Sequence, residues 1–135
     1  LKRVGGNIAT YGRILRLFCD NYSVNSAEGK KLFEAGDYEA LTFIVHSLKS
    51  QALGIGAAEL NKIAAALEKH LKAGDSSYVV CAFSLLMLEW KRAAECAELL
   101  SDEIRKNLEE LVKNFELDPK NKDSRSWMKI LGVKF

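Results

Sequence analysis

Proline is almost absent from this sequence, with Pro119 the single example in 135 residues. Collagen-like and low-complexity proteins, as well as turn-rich β-sandwiches, contain proline and glycine far more often. Long apolar runs are missing too: the longest, from Tyr78 to Leu88, has 11 residues and includes one serine. A membrane-spanning helix needs about 20 apolar residues. We therefore expect one globular domain that does not insert into a membrane.

Cysteine is scarce and badly spaced for bridging or metal binding. The three cysteines, Cys19, Cys81 and Cys96, are an odd number without a Cys-x-x-Cys pair, which excludes a disulfide framework and a thiolate zinc site. The sequence also lacks a glycine-rich nucleotide loop and carboxylates clustered at metal-binding spacing. We predict that this chain itself binds no metal and no cofactor. Reduced thiols favour a cytoplasmic location.

The chain as a whole has no large excess of positive or negative charge, but individual segments do. The 20 Lys and Arg residues nearly cancel the 18 Asp and Glu residues, giving a net charge of +2. The body, residues 32–118, is acidic, whereas residues 1–31 and residues 119–135 are basic. Nucleic-acid-binding domains usually present a basic face with interleaved aromatic residues. The acidic body therefore argues against a nucleic-acid partner.

Apolar residues recur at helical spacing along most of the chain, and no alternating strand pattern is evident. Short connections between helices of similar length favour antiparallel neighbours. The fold class predicted is all-α, an up-down antiparallel four-helix bundle with an extended C-terminal helix and tail. We predict a first helix from near Asn7 that breaks or bends at residues 21–26, a second at about 37–55, a third at about 57–73, a fourth at about 78–115 with an internal cap offered by Ser101, and one short helix at about 127–131.

The second helix carries the most informative residue. On a helical wheel at about 100° per residue, the predicted core stripe lies opposite His46. That stripe contains Leu41, Ile44, Leu48, Ala52 and Ile55. His46 therefore faces solvent. Its neighbours on that face are Thr42, Lys49, Ser50 and Leu53.

The residues around His46 indicate a reactive histidine rather than an ordinary surface one. Lys49 lies one turn further along, where an ammonium group can neutralise an anion attached to the imidazole. Ser50 is small, so a partner can approach the ring closely. Leu53 and Phe43 are apolar on a face that should be polar, which indicates a docking patch. The alternative is that the first helix or the tail covers Phe43 and Leu53.

The run His46-Ser47-Leu48-Lys49-Ser50, followed by Gly56 ten residues after the histidine, resembles the signature of histidine-containing phosphotransfer (Hpt) domains. The resemblance covers roughly residues 5–100. It implies an Hpt-like bundle over residues 1–117 and a C-terminal tail over residues 118–135. The flanking segments that also resemble the family are Glu34 to Leu41, Glu59-Leu60, Leu67-Glu68 and Lys72 to Asp75.

The resemblance implies a phosphorelay function. His46 would be the phosphoacceptor, Lys49 would balance the phosphate charge, and a receiver domain would supply the aspartate and Mg²⁺. The partners implied are a response-regulator receiver domain and a histidine kinase, and the chain would be a phosphotransfer intermediate rather than a complete enzyme. The receiver-docking residues implied are Thr42, Phe43, Ser50, Leu53 and Gly56.

Two other functions remain open at this stage. The family usually has glycine where this chain has Ser50, so the bundle could be a decayed relay that acts only as a protein-interaction module. The long fourth helix could instead form a homodimer. The other histidine, His70, lies near the end of the third helix, where it complements the helix dipole and is assigned a structural role. The sequence begins at Leu1, so we expect a fragment or processed product, either free-standing or the cytoplasmic segment of a membrane-bound sensor kinase.

Overall fold

The computed structural model describes residues 4–114, and none of these residues lies in a β-strand. The four helices are α1 (Val4–Ala35), α2 (Tyr38–Ile55), α3 (Ala58–Lys72) and α4 (Ser76–Asn114). The all-α fold with four helices predicted from the sequence is confirmed. The predicted short helix at about 127–131 and the domain boundary at residue 117 lie outside the described residues.

Short connections join consecutive helices, and α2 is capped at both ends. Asp37 is the N-cap of α2, and its Oδ1 accepts a hydrogen bond of 3.2 Å from the backbone N–H of Ala40. Gly56 ends α2 in the left-handed conformation, with φ at 79°. Only Gly56 and Ala57 separate α2 from α3, so these two helices run antiparallel.

The described chain divides into two compact units, and α1 and α4 contribute residues to both. The larger unit, residues 18–97, contains α2 and α3 complete and holds a core of aliphatic and aromatic side chains. The stacked rings of Phe33 and Phe83, 4.1 Å apart, lie in this unit. The fully buried members of its core include Leu41, Val45, Leu48, Leu60, Leu67, Val79 and Leu86.

The predicted interruption of the first helix is wrong, because α1 is continuous through residues 21–26, and Asn7 lies inside it rather than at its start. A tertiary contact and a local bond hold this segment in the helix. Tyr22 meets Trp90 of α4 edge to face at 5.8 Å, and within α1 the Ser26 hydroxyl donates to the carbonyl of Ser23. Packing of this kind outweighs local helix propensity.

The core stripe predicted for α2 needs one correction. Leu41, Leu48, Ala52 and Ile55 are buried as predicted, but Ile44 is half-buried and Val45 is fully buried instead. Val45 lies one turn before Lys49, which bonds to Glu68 of α3, so the flank of α2 that carries both residues faces α3. The helical period alone does not reveal which flank of a stripe the neighbouring helix covers.

The smaller unit contains residues 4–17 and residues 98–114 of the described chain. A Cβ atom at Gly12 would lie 3.2 Å from Cγ2 of Ile104, so the two helices approach closely there. The hydroxyl of Ser101 donates to the carbonyl of Gly12 at 3.4 Å. The predicted internal cap at Ser101 is therefore wrong: α4 continues through it, and the serine bonds to another helix.

Among residues 4–114 no helix combines the length and the apolar character that a membrane crossing requires.

Two glycines of the larger unit allow the packing to be tested. A Cβ atom at Gly29 would meet Ile44 and Trp90 at 3.8 Å, which is ordinary van der Waals contact. We expect Gly29→Ala to raise the free energy of unfolding by about 0.5–1 kcal/mol, because glycine is unfavourable inside a helix. Gly36→Ala should instead lower it by about 1 kcal/mol, since Gly36 has a φ of 73°. Urea unfolding measures both, and a destabilised Gly29→Ala variant would contradict this packing.

Candidate functional site

The imidazole of His46 projects from the middle of α2 and contacts the neighbouring helix through one nitrogen. Its Nδ1 atom lies 2.5 Å from Oε2 of Glu68 on α3. The side chain of His46 is 59% exposed, whereas that of Glu68 is only 6% exposed. One ring nitrogen is therefore bound to a buried carboxylate while most of the ring faces solvent.

Glu68 is held in its charged form by three donors. Nζ of Lys49 lies 2.6 Å from Oε1, and Nζ of Lys72 lies 3.3 Å from Oε2. The hydrogen bond from Lys49 is the largest influence, and together with His46 and Lys72 it lowers the pKa of Glu68 to about 2, although burial alone would raise it. Glu68 is therefore a carboxylate at neutral pH.

The charged carboxylate decides which tautomer His46 adopts. An ionised carboxylate can only accept hydrogen bonds, so Nδ1 of His46 must carry the proton that lies between them. In the neutral ring the other nitrogen, Nε2, then holds the lone pair. A carboxylate partner also fixes the orientation of an imidazole. The result is an exposed histidine whose Nε2 carries the lone pair when the ring is neutral.

Further contacts near His46 join α2 to α3. Lys49 is half-buried, and its backbone carbonyl accepts a hydrogen bond of 2.9 Å from Nδ2 of Asn61 on α3. This bond and the bond from Lys49 to Glu68 both join α2 to α3. The two helices therefore hold His46 and Glu68 in register.

The remaining predicted site residues surround His46 on the outer face of α2 and its end. Phe43 is 72% exposed and Leu53 is 71% exposed, so no described part of α1 covers them, and the tail named in the alternative interpretation lies outside the described residues. Ser50 is exposed as well. The hydroxyl of Thr42 donates to the carbonyl of Tyr38 at 2.7 Å, and Gly56 forms the turn after α2. Their docking role stays a prediction.

The other histidine occupies a different environment. Nδ1 of His70 lies 3.0 Å from Oδ2 of Asp75, and its ring stacks on Tyr78 at 3.6 Å. Oδ1 of Asp75 accepts a hydrogen bond from the backbone N–H of Tyr78. These contacts close the turn between α3 and α4, which fits the structural role expected of His70.

Glu68 is the functional residue that the sequence analysis did not assign a role. It follows Ala64 by four residues and Leu60 by eight, so it lies at the edge of the buried stripe of α3. A carboxylate in that position needs a partner, and Lys72, four residues later, is a visible candidate. Its bond to His46, 22 residues away, depends on how α2 and α3 pack together. No three His, Cys, Asp or Glu side chains gather at metal-binding distance within the described part of the chain.

Comparison with protein-family models gives a match over most of the chain. The model described as "Hpt domain" matches residues 13–114, about three quarters of the chain, and so extends beyond the resemblance seen in the sequence, which ended near residue 100. No curated protein and no solved structure matched the chain.

Replacing Glu68 by glutamine should separate its charge from its shape. A neutral amide can accept from Nδ1 or donate to it, so Glu68→Gln should fix neither tautomer of His46, and ¹⁵N NMR of the ring should show a mixture. We also expect a loss of about 1–3 kcal/mol in the free energy of unfolding at pH 7, because Lys49 loses its carboxylate.

The pH dependence of this loss follows from the lowered pKa of Glu68. A carboxylate with a lowered pKa stabilises the fold above its ordinary pKa, and that stabilisation is lost as the pH falls from about 4.5 to about 2. The difference between Glu68→Gln and the unmodified chain should therefore shrink between pH 4.5 and pH 2 in urea unfolding. Glu59→Gln, which removes an exposed carboxylate from the same helix, is the control and should change little. An unchanged tautomer in Glu68→Gln would contradict the role of the carboxylate.

Proposed function

Since the chain belongs to the Hpt domain family, whose members take part in phosphotransfer in two-component signalling, we propose that it relays a phosphoryl group through a phosphohistidine at His46. The observation that carries this proposal is the hydrogen bond between Nδ1 of His46 and the buried carboxylate of Glu68. That bond leaves Nε2 available as the nucleophile on an exposed ring. A histidine without such a partner would divide its proton between both nitrogens.

The proposed reaction is a direct displacement at phosphorus. The lone pair of Nε2 forms the N–P bond, and the P–O bond to the aspartyl carboxylate of a receiver domain breaks, so that the carboxylate leaves with the electron pair. No proton has to be removed from Nε2. The reverse reaction returns the phosphoryl group to a receiver aspartate.

The contacts of His46 suit the charge that this reaction creates. Bonding Nε2 to phosphorus makes the ring positive, and the Nδ1–H then points at a carboxylate that stays ionised because its pKa is about 2. Glu68 thus stabilises the phosphorylated ring and also fixes the tautomer of the unphosphorylated ring. Lys49, beside Glu68, adds positive potential near the phosphate, which supports its proposed part in charge balance.

The direct partner in this proposal is a receiver domain, which supplies both the aspartate and Mg²⁺, and a histidine kinase is the second proposed partner. The exposed apolar pair Phe43 and Leu53 is the proposed docking patch, because large apolar side chains on an outer helix face favour a protein contact. Thr42, Ser50 and Gly56 are proposed to line its edge. A relay of this kind operates in the cytoplasm.

The two histidines provide a matched test of the phosphoacceptor. Incubation with a ³²P-labelled phosphorylated receiver domain should label the unmodified chain and His70→Gln with acid-labile phosphate, while His46→Gln should gain none. Loss of the nucleophile removes the reaction completely, so we expect the signal to fall to background. Label retained in His46→Gln contradicts the proposal. Receiver binding without any transfer would instead favour the pure interaction module.

Two exposed leucines, Leu53 and Leu88, provide a matched test of the docking patch. Leu53→Ser should weaken binding to the receiver domain by about five- to tenfold, because one apolar contact is lost from the interface. Leu88→Ser on α4 changes a side chain that is 68% exposed and serves as the control. Isothermal titration calorimetry measures both, and thermal unfolding should show each variant to be stable. Equal weakening by both variants would rule out a patch centred on α2.

A further inference from the structure

The buried carboxylate of Glu68 accepts from three donors that are held with different strength. Lys49 lies 2.6 Å from Oε1 with a side chain that is 31% exposed. Lys72 lies 3.3 Å from Oε2 with a side chain that is 63% exposed. Lys49 is therefore a tightly held partner, whereas the ammonium group of Lys72 is at the solvent side and is loosely held.

Phosphorylation would change the charge at this site. Before transfer, the single negative charge of Glu68 faces two lysines. A phosphoryl group adds a charge of about −1.5 to −2 at neutral pH, and on His46 it would sit on the same ring that Glu68 contacts. The phosphorylated site would then hold two anionic groups on either side of a ring whose positive charge is already paired with Glu68. The phosphate needs a further cation, one that can move to it.

Lys49 is poorly suited to make that move. Its ammonium group is the closest cation to Glu68 and the main reason why the pKa of this carboxyl is low. Withdrawing it would leave a buried carboxylate without its principal partner, which is strongly unfavourable. Lys49 therefore stays on Glu68 and acts on the phosphate only through space.

Lys72 is neither the closest cation to Glu68 nor the main cause of its low pKa. When it leaves, Glu68 retains the hydrogen bonds from Lys49 and from Nδ1 of His46. Lys72 and His46 share the same oxygen, Oε2, so the ammonium group already lies on the imidazole side of the carboxylate. Its long exposed side chain can change rotamer without disturbing the core.

We propose that Lys72 is a phosphate-binding residue, which exchanges its contact with Glu68 for the phosphoryl oxygens once His46 is phosphorylated. This inference rests on the proposed function. It divides two tasks between two lysines: Lys49 keeps the carboxylate charged and His46 oriented, and Lys72 neutralises the transferred group.

The test is the second ionisation of the phosphoryl group. The chain is phosphorylated with phosphoramidate, and ³¹P NMR follows the phosphohistidine signal as a function of pH. In Lys72→Gln the pKa of the phosphoryl group should rise by about half a pH unit, roughly a threefold change in proton affinity, because the dianion loses its cation. Lys72→Arg should restore the lower value. High salt should reduce the difference.

Two further variants separate local from general effects. Lys62→Gln removes a lysine from the same helix that pairs with Glu59, and the phosphoryl pKa should not change. Lys49→Gln should lower the free energy of unfolding before phosphorylation, whereas Lys72→Gln should leave it nearly unchanged, in keeping with the exposure of the two side chains.

The outcomes distinguish the two proposals. If His46 takes up phosphate and Lys72→Gln titrates like the unmodified chain, the role of Lys72 is wrong and the proposed function stands. An equal shift in Lys62→Gln would also overturn the role of Lys72, since the effect would be one of net charge. If neither phosphoramidate nor a phosphorylated receiver labels His46, the proposed function fails, and the role of Lys72 fails with it.

Discussion

The buried negative charge of Glu68 determines how α2 and α3 are arranged around His46. The carboxylate of Glu68 is removed from water, and such a group is tolerated only when donors surround it. The donors come from two helices: Lys49 and His46 from α2, and Lys72 from α3 itself. The need to satisfy one carboxylate therefore fixes the register of α2 against α3. It also orients the histidine.

The same carboxylate of Glu68 therefore contributes to the packing of α2 on α3 and to the orientation of His46. The pKa of Glu68, at about 2, lies far below physiological pH, so the acceptor for Nδ1 remains charged under all ordinary conditions. The orientation of His46 is consequently built into the fold and does not depend on a separate activating event. In the proposed relay His46 exchanges phosphate in both directions, and with this permanent arrangement neither direction would require rearrangement of α2 or α3.

Much of this arrangement can be predicted from the sequence. Helical periodicity defines α2 and α3 to within a residue or so, and it places His46, Phe43 and Leu53 outside the core. The interruption predicted in α1 is wrong because local turn propensity was outweighed by the contact between Tyr22 and Trp90.

Helical periodicity does not predict the role of Glu68, and the physical reason is different. A helical wheel describes the surroundings of one helix, and the bond from Glu68 to His46 joins two. The wheel indicates that a carboxylate lies at the edge of a buried stripe. It does not indicate which residue of α2 stands opposite, since that depends on the turn between α2 and α3 and on the packing of their side chains.

The turn of two residues between α2 and α3 has a consequence for how this sequence can change. His46 and Glu68 are 22 positions apart, and the connection contains only Gly56 and Ala57. One residue inserted into α3 ahead of Glu68 would rotate the carboxylate by about 100° and turn it away from the ring. The interval between the two residues is therefore a fixed length, and evolution can alter their neighbours far more freely than it can add or remove a residue between them.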